Sequence, residues 1–499
     1  MNTQNGFGSA KLPSENLETN IRYVRNIFEK DDTLQFRRIQ NNSDPAAEFC
    51  LIYVDGMINN KLVNDDIVCP LMNYRFPEEK GDRMELLLRH VVFADSTEKS
   101  DEVEKIVTSI VYGDTVLLAE GSSEALLMNT KGYNTRSIEE PEGERVLCGP
   151  REGFNESLLV NLSMLRRKLH TPDLKMTFRI FGKRTRTKAC ICYLDSLVDR
   201  NVLETLQKRL ENINIDGTLD TEYLAELISD RPCYGIDTIG STERPDIVAA
   251  KLLEGRVAIL LDGTPQAITL PHLFIENFQS DEDYYLNFFF ASIGRVLRII
   301  SFFISVTLPA FYIALVTFHP EMLPTPMLIS ISQARQGVPF PTVLEMLFML
   351  IVFEMLRESG ARMPGLMGQT LSIVGALVIG DAAVKAKIVS APIIIVVALS
   401  GITGMMNPKI KGFSILARFS MMVLASMLGL YGFLFGMIAL LVRLYATESF
   451  GVPIMQETDE KGFQNLKDIG IRAPWWEMIR RPAKLTKNRV RQKRGGQQK

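Results

Sequence analysis

The segment from Phe340 to Glu358, FPTVLEMLFMLIVFEMLRE, sets carboxylates and an arginine inside an otherwise apolar run. After Glu345 its longest uncharged stretch is Met346–Phe353, only 8 residues, and Glu354, Arg357 and Glu358 follow. A charge facing lipid at mid-depth is costly, so these groups must face protein, water or the membrane surface. On a helix Leu344, Leu347, Ile351, Glu354 and Glu358 fall at three- and four-residue spacing and share one stripe. An oligomer with this stripe turned inward would carry an apolar ring of Ile351 above a carboxylate ring of Glu354. Apolar constrictions close by dewetting, and acidic rings favour cations. The pore-lining candidates are therefore Leu347, Ile351, Glu354, Glu358 and Glu345. A second reading stays open: an amphipathic helix at the membrane surface, or an internal pair in which Arg357 neutralises Glu354 or Glu358.

Such a stripe needs neighbouring membrane helices to position it. From Leu286 onward the charges thin out, and uncharged runs cover Ile299–Phe318, Met363–Gly380, Ile388–Pro408 and Phe419–Val442, with 20, 18, 21 and 24 residues. About 20 apolar residues cross a bilayer. The expectation is an α-helical transmembrane domain over 286–450 with about four spans: 292–318, 340–358, 370–408 counted as one interrupted span, and 419–442. Ala425, Gly429, Gly432, Gly436 and Ala439 form a seam at 4, 3, 4, 3 spacing within the last span, where small residues would let helices approach closely. Leu286–Arg298 reads as an interfacial helix whose Arg295 and Arg298 meet the inner headgroups.

The formal net charge of −2 hides three unlike parts. Residues 1–285 carry −14, 286–471 carry +3 and 472–499 carry +9. The basic end, with Trp475 and Trp476, marks the cytosolic side, where an anionic membrane surface explains it better than nucleic acid. With no apolar leader at the start, the first part is also expected in the cytosol, so the number of crossings must be even. Four spans then leave Lys409, Lys411 and Arg418 on the outer side, against the same charge rule.

The acidic part shows an internal repeat. Phe49–Val54 and Ala189–Leu194 are short apolar runs of strand type, each closed by an aspartate, Asp55 or Asp195. Gly113–Gly121 and Gly255–Gly263 match at nearly the same offset, and each turns into a further apolar run, a hairpin signal. The fold class is thus an α/β cytosolic region of two repeated units ahead of the membrane helices. The divisions are 1–30 as a disordered tail, 31–150 and 151–285 as the two units, 286–450 as the membrane domain, and 451–499 as a cytosolic basic tail. Ser241 to Asp246 reads as a helix start at the surface, with Glu243 and Arg244 within reach of a partner. The six cysteines include no CxxC pair and read as reduced and buried. The four histidines lack metal spacing, and no Walker loop, HExxH, GxSxG or dinucleotide fingerprint occurs, so neither an enzyme nor a cofactor or metal is expected.

GSTERPDIVAAKLLEGRVAILLDGTPQAITLPHLFIENFQSDEDYY (240–285), PFPTVLEMLFMLIVFEMLRESGARMP (339–364) and GQTLSIVGALVIGDAAVKAKIVS (368–390) resemble the A subunits of GerA-type spore germinant receptors. The resemblance covers roughly 45–450. It implies a multi-pass protein of the spore inner membrane with both terminal regions on the cytosolic, core side. It also implies a transporter-like B subunit that binds the nutrient, a lipoprotein C subunit, and a homo-oligomeric A subunit conducting monovalent cations. The stage V AF protein shares this architecture, so an accessory channel in signal amplification stays open, as does a non-conducting scaffold or solute permease.

Overall fold

The computed structural model describes residues 11–491 except 46, 77–82, 94–95, 133–143, 145–147, 231–234, 363–374, 376–377, 456–467, 483–484 and 487. The expected duplication is present. One sheet holds β1 (Leu34–Gln40), β2 (Glu48–Val54), β3 (Thr97–Ser100), β4 (Thr115–Ala119) and β5 (Ala125–Met128) in the order β1-β2-β4-β5-β3. The other holds β6 (Leu174–Phe181), β7 (Thr187–Leu194), β8 (Gly240–Thr242), β9 (Val257–Leu261) and β10 (Ala267–Leu270) in the same order, β6-β7-β9-β10-β8. All neighbouring strands are antiparallel. The register repeats as well: Cys50 faces Leu118 as Cys190 faces Leu260.

Each central strand is buried on both faces, which explains its unbroken apolar sequence. Cys50, Ile52 and Val54 pack against α1 (Leu17–Ile27) and α2 (Val103–Tyr112), while Phe49 and Leu51 pack against the helical turns around 63–91. In the second unit Cys190 and Cys192 face α3 (Leu158–Lys168) and α6 (Pro245–Leu253). Ile191 and Tyr193 face α4 (Arg200–Glu211) and α5 (Thr221–Ile228). Three expectations need correction here. Residues 17–27 are not a disordered tail: Asn16 caps α1 by accepting from the Thr19 N–H, and Leu17, Ile21 and Val24 sink into the first core. Cys69 and Cys148 are exposed, although Cys50, Cys190 and Cys192 are buried free thiols. Arg244 is not a surface cap but fully buried, donating to Asp246 at 2.7 Å and to the Pro150 carbonyl at 2.9 Å.

The helical region comprises α7 (Phe288–Phe318), α8 (Thr325–Arg335), α9 (Thr342–Arg362), α10 (Ala391–Met405) and α11 (Lys411–Tyr445). Among the described residues only two helices are long and apolar enough to cross a membrane, Phe288–Phe318 and Pro408–Tyr445, where the sequence suggested four spans. The physical reasons are specific. Helix α9 is interrupted by charge, and α10 has 15 residues, about 22 Å of rise. The run Met363–Gly380 lies largely outside the described residues.

Helix α11 reverses direction. Gly429 adopts φ 60° and ψ −135°, a backbone region open to glycine but not to residues with a Cβ. A Cβ on Gly432 would lie 2.0 Å from the Leu424 carbonyl oxygen, and one on Gly436 would lie 2.5 Å from Met421 Sδ. In a continuous helix residues 421 and 436 would be about 22 Å apart. The segment is therefore a hairpin with arms 411–428 and 430–445. Its tip at Gly429 lies against Phe318 and His319, at the end of α7 away from the sheets. Its first end is tied to the sheets by Lys409, 3.1 Å from Glu144, and its second end runs into β11 (Glu448–Ser449) and β12 (Val452–Pro453). Ser449 donates to the Thr238 carbonyl at 2.6 Å.

This corrects two further expectations. Lys409 and Lys411 stand at the sheet end of the helical region, on the same side as the basic end of the chain. The small residues do not form one seam. Ala425 is on the first arm, Gly429 is the turn, and Gly432 and Gly436 let the second arm close on the first, while Ala439 is exposed.

Arg295 and Arg298 also depart from the sequence reading. They face carboxylates rather than headgroups: Arg295 bonds Asp283 at 3.2 Å and Asp468 at 2.8 Å, and Arg298 bonds Asp283 at 2.5 Å. Part of the basic tail docks here too, since Arg472 donates to the Leu286 carbonyl at 3.0 Å and Arg491 to Glu254 at 2.7 Å. Trp475 and Trp476 stay exposed, the latter edge-on to Phe288 at the start of α7.

Candidate functional site

Helix α9 starts directly after Pro341, whose carbonyl accepts the Glu345 N–H at 3.1 Å, and runs 21 residues before its described part ends at Arg362. It descends from the far end of the helical region toward the sheets. At its start Glu345 lies near Ser390 and Arg335. Near its end Glu358 lies 3.8 Å from Lys411. Met346, Met349 and Leu350 are buried in the helical core, and Gly401 of α10 makes room for the Phe353 ring, which a Cβ there would meet at 2.3 Å.

The five candidates do not share one environment. Glu345 faces the interior of its own subunit. It is buried, accepts the Ser390 N–H at 2.9 Å and has Arg335 at 3.8 Å. Ser390 is the N-cap of α10, so this carboxylate offsets the positive end of that helix dipole. Leu347 is half-buried against the helical core. Glu354 pairs with Arg357 on its own helix and with Arg418 of α11 at 3.2 Å, so the internal ion pair suggested by the sequence exists. Ile351 is 44% exposed, and Glu358 is exposed with Arg362 at 2.7 Å.

The open face of α9 is a stripe of Leu344, Phe348, Ile351, Met355 and Glu358, all exposed, at spacings of 4, 3, 4 and 3. It shares Leu344, Ile351 and Glu358 with the expected stripe and has Phe348 and Met355 where that stripe had Leu347 and Glu354. The sequence allowed both phases, and the carboxylate at 354 favoured the one that lies partly against the subunit's own helices. Phe348 and Met355 are the exposed residues of this face that the expected stripe did not include. Arg418 was missed as well, because its partner lies 64 residues away.

A second polar centre sits between the second sheet and the helices. A cavity of about 1070 Å³ is lined by α5, α6, Lys409 and Trp475, with Glu276 in its wall. The Glu276 carboxylate accepts the Leu273 N–H at 2.7 Å and pairs with Arg256, with Lys251 at 3.0 Å and with His272 at 3.2 Å. Burial alone would raise its pKa, but these three bases outweigh burial and hold it well below the usual carboxylate range. Burial lowers the Lys251 pKa despite the same carboxylate.

Glu144 is depressed in the same way. Burial opposes ionisation, yet Lys409, the Thr242 hydroxyl and the Glu243 N–H prevail. Its pKa lies lower in the folded chain than in the unfolded one. Its contribution is therefore complete above the ordinary glutamate range and disappears as pH falls through the depressed value. Limited proteolysis of the connection around 405–411 is expected to accelerate on acidification through that window in the parent chain. In Glu144→Gln the connection should be cut readily already at neutral pH. Equal protection of the two at neutral pH would contradict a structural role for the pair.

Comparison with known proteins adds the following. Residues 22–484 match the profile of a family described as Bacillus/Clostridium GerA spore germination protein. The chain is 39% identical over 473 residues to the "Uncharacterized membrane protein YfkQ" of Bacillus subtilis (strain 168), covering 94% of this chain and 91% of that one. It is 38% identical over 484 residues to the "Spore germination protein KA" of the same organism, covering 96% and 89%. Among solved structures, the N-terminal domain of the A subunit of the Bacillus megaterium spore germinant receptor GerK3 is 28% identical. It covers 53% of this chain and 98% of that chain, with a TM-score of 0.43.

Proposed function

The chain belongs to the Bacillus/Clostridium GerA spore germination family, and on that premise we propose that it is a germinant-receptor A subunit whose copies assemble around α9 and pass monovalent cations across the spore inner membrane when nutrient is sensed. The observation that carries this reading is the uncovered stripe Leu344–Phe348–Ile351–Met355 with Glu358 at its sheet end. An apolar face of this length on a helix bearing charges at both ends suits a second copy of α9 better than lipid. Ile351 and Phe348 then close the path by dewetting, and Glu358 offers a carboxylate to cations at the inner mouth.

The partners of the reading are a transporter-like B subunit that binds nutrient and a lipoprotein C subunit. Both α/β units and the basic tail lie on the core side. The α11 hairpin supports that sidedness, because it lets Lys409, Lys411 and the tail obey one charge rule. Nutrient opens the path only to the extent that the receptor binds it more tightly when open.

Ile351→Ser in the full-length chain, reconstituted with its partners, is expected to give a resting monovalent-cation current that the parent lacks. Leu416→Ser, on an exposed face of α11, should leave the current at the parent level. A silent Ile351→Ser would remove the channel reading and leave the scaffold.

A further inference from the structure

Arg418 is one of the few arginines with no solvent exposure to speak of, 1% for its side chain, and it lies within the helical region. What it touches explains why it is there. Pro309 sits inside α7 and has no N–H, so the carbonyl four residues earlier, that of Ser305, loses its helical donor. Away from water such a carbonyl must find another donor. Two groups converge on it: Arg418 Nε at 2.9 Å and the Ser400 hydroxyl of α10 at 2.9 Å. The same guanidinium donates to the Ser305 hydroxyl at 2.7 Å and, through its remaining nitrogen, to Glu354 of α9 at 3.2 Å. Gly404 permits the approach, since a Cβ there would lie 2.9 Å from the Ser305 oxygen and 3.3 Å from Arg418.

We propose that Arg418 is a positioning residue that latches α9 to the carbonyl left free by Pro309, and so sets the resting position of the α9 stripe. One planar guanidinium addresses a fixed carbonyl on α7 and a carboxylate on α9 at once. A shift of α9 along or away from α7 takes Arg357 with Glu354 but strips the buried Arg418 of its carboxylate, leaving that charge only the neutral Ser305 oxygens, which is costlier than the pair. The effect on conduction rests on the reading of α9 as pore lining; the mechanical tie does not.

The test uses the full chain reconstituted with its partners, carrying spin labels at Met355 and Leu416, both exposed. Arg418→Gln is expected to shift or broaden the distance between the labels and to raise resting conductance roughly tenfold or more, the scale of an ordinary two-state coupling. Arg418→Lys, which reaches the carbonyl or Glu354 but not both, should fall between. Pro309→Ala returns an N–H to the Ser305 carbonyl, so Arg418→Gln should perturb the distance less in that background. If Arg418→Gln does not fold, Glu354→Gln keeps the shape, cuts the α9 side of the latch and should still move the labels. An unchanged distance in Glu354→Gln, or a Pro309→Ala background that leaves the effect of Arg418→Gln unaltered, overturns the latch. A distance that shifts while neither these variants nor Ile351→Ser conducts would keep the latch and remove the channel.

Discussion

Replacing Gly429 by valine is expected to destroy the α11 hairpin and with it the folded helical region. The backbone at φ 60° and ψ −135° is closed to a β-branched residue, and holding one there costs on the order of 1–3 kcal/mol. The new Cβ would also stand 2.9 Å from Phe318. The alternative, a straight helix of 35 residues, would be about 52 Å long, against a hydrocarbon thickness near 30 Å. It would carry Tyr445 away from the sheets and break the contact of Ser449 with the Thr238 carbonyl. Single cysteines at Lys411 and Tyr445 in sealed vesicles provide the measurement. In the parent both should label from the same side. In Gly429→Val they should separate, or the protein should be lost to proteolysis. Labelling of the parent from opposite sides would show that α11 crosses once and that the hairpin is wrong.

The hairpin also shows where sequence reasoning stops. The conflict between Lys409, Lys411 and the basic tail was visible in the charges, but its resolution was not. Gly429 lies on a run of small residues whose spacing fits one helix face, and no proline, asparagine or aspartate marks a turn there. The repeat was legible because β2, β4, β7 and β9 are buried on both faces and leave unbroken apolar runs. The flanking strands escaped notice because they are half-exposed and polar: β1 reads LQFRRIQ and β3 reads TEKS. On α9 the exposure of Leu344, Ile351 and Glu358 on one face was legible from helical spacing alone. The exposed face runs through Phe348 rather than Leu347, a phase the sequence did not give because Glu354 drew the stripe toward itself, while its partner Arg418 lies far away in sequence.

The second large effect is expected at Glu276. This carboxylate is the acidic hub of a buried cluster in which Arg256, Lys251 and His272 all face it, beside the cavity between the second sheet and the helices. Glu276→Gln keeps the volume and can still accept the Leu273 N–H, so the loss isolates charge from shape. Arg256 would keep only Glu254, at 3.3 Å, and Lys251 would lose its carboxylate, at a cost of about 3–5 kcal/mol for the broken buried pair. Glutamate 276 has its pKa depressed by folding, so its contribution is complete at neutral pH and is lost only as pH falls through that depressed value. The parent should therefore keep its thermal midpoint well into the acidic range, while Glu276→Gln should already be low at pH 7. Thermal unfolding of the detergent-solubilised full chain reads this directly. Adding Lys251→Met to Glu276→Gln removes one stranded cation and should recover part of the loss, whereas the two changes would simply add if the cluster were not coupled. A thermal midpoint in Glu276→Gln equal to that of the parent would mean that water reaches the cluster and screens it, and the junction would then be held by its other contacts, Lys409 with Glu144 and Ser449 with the Thr238 carbonyl among them.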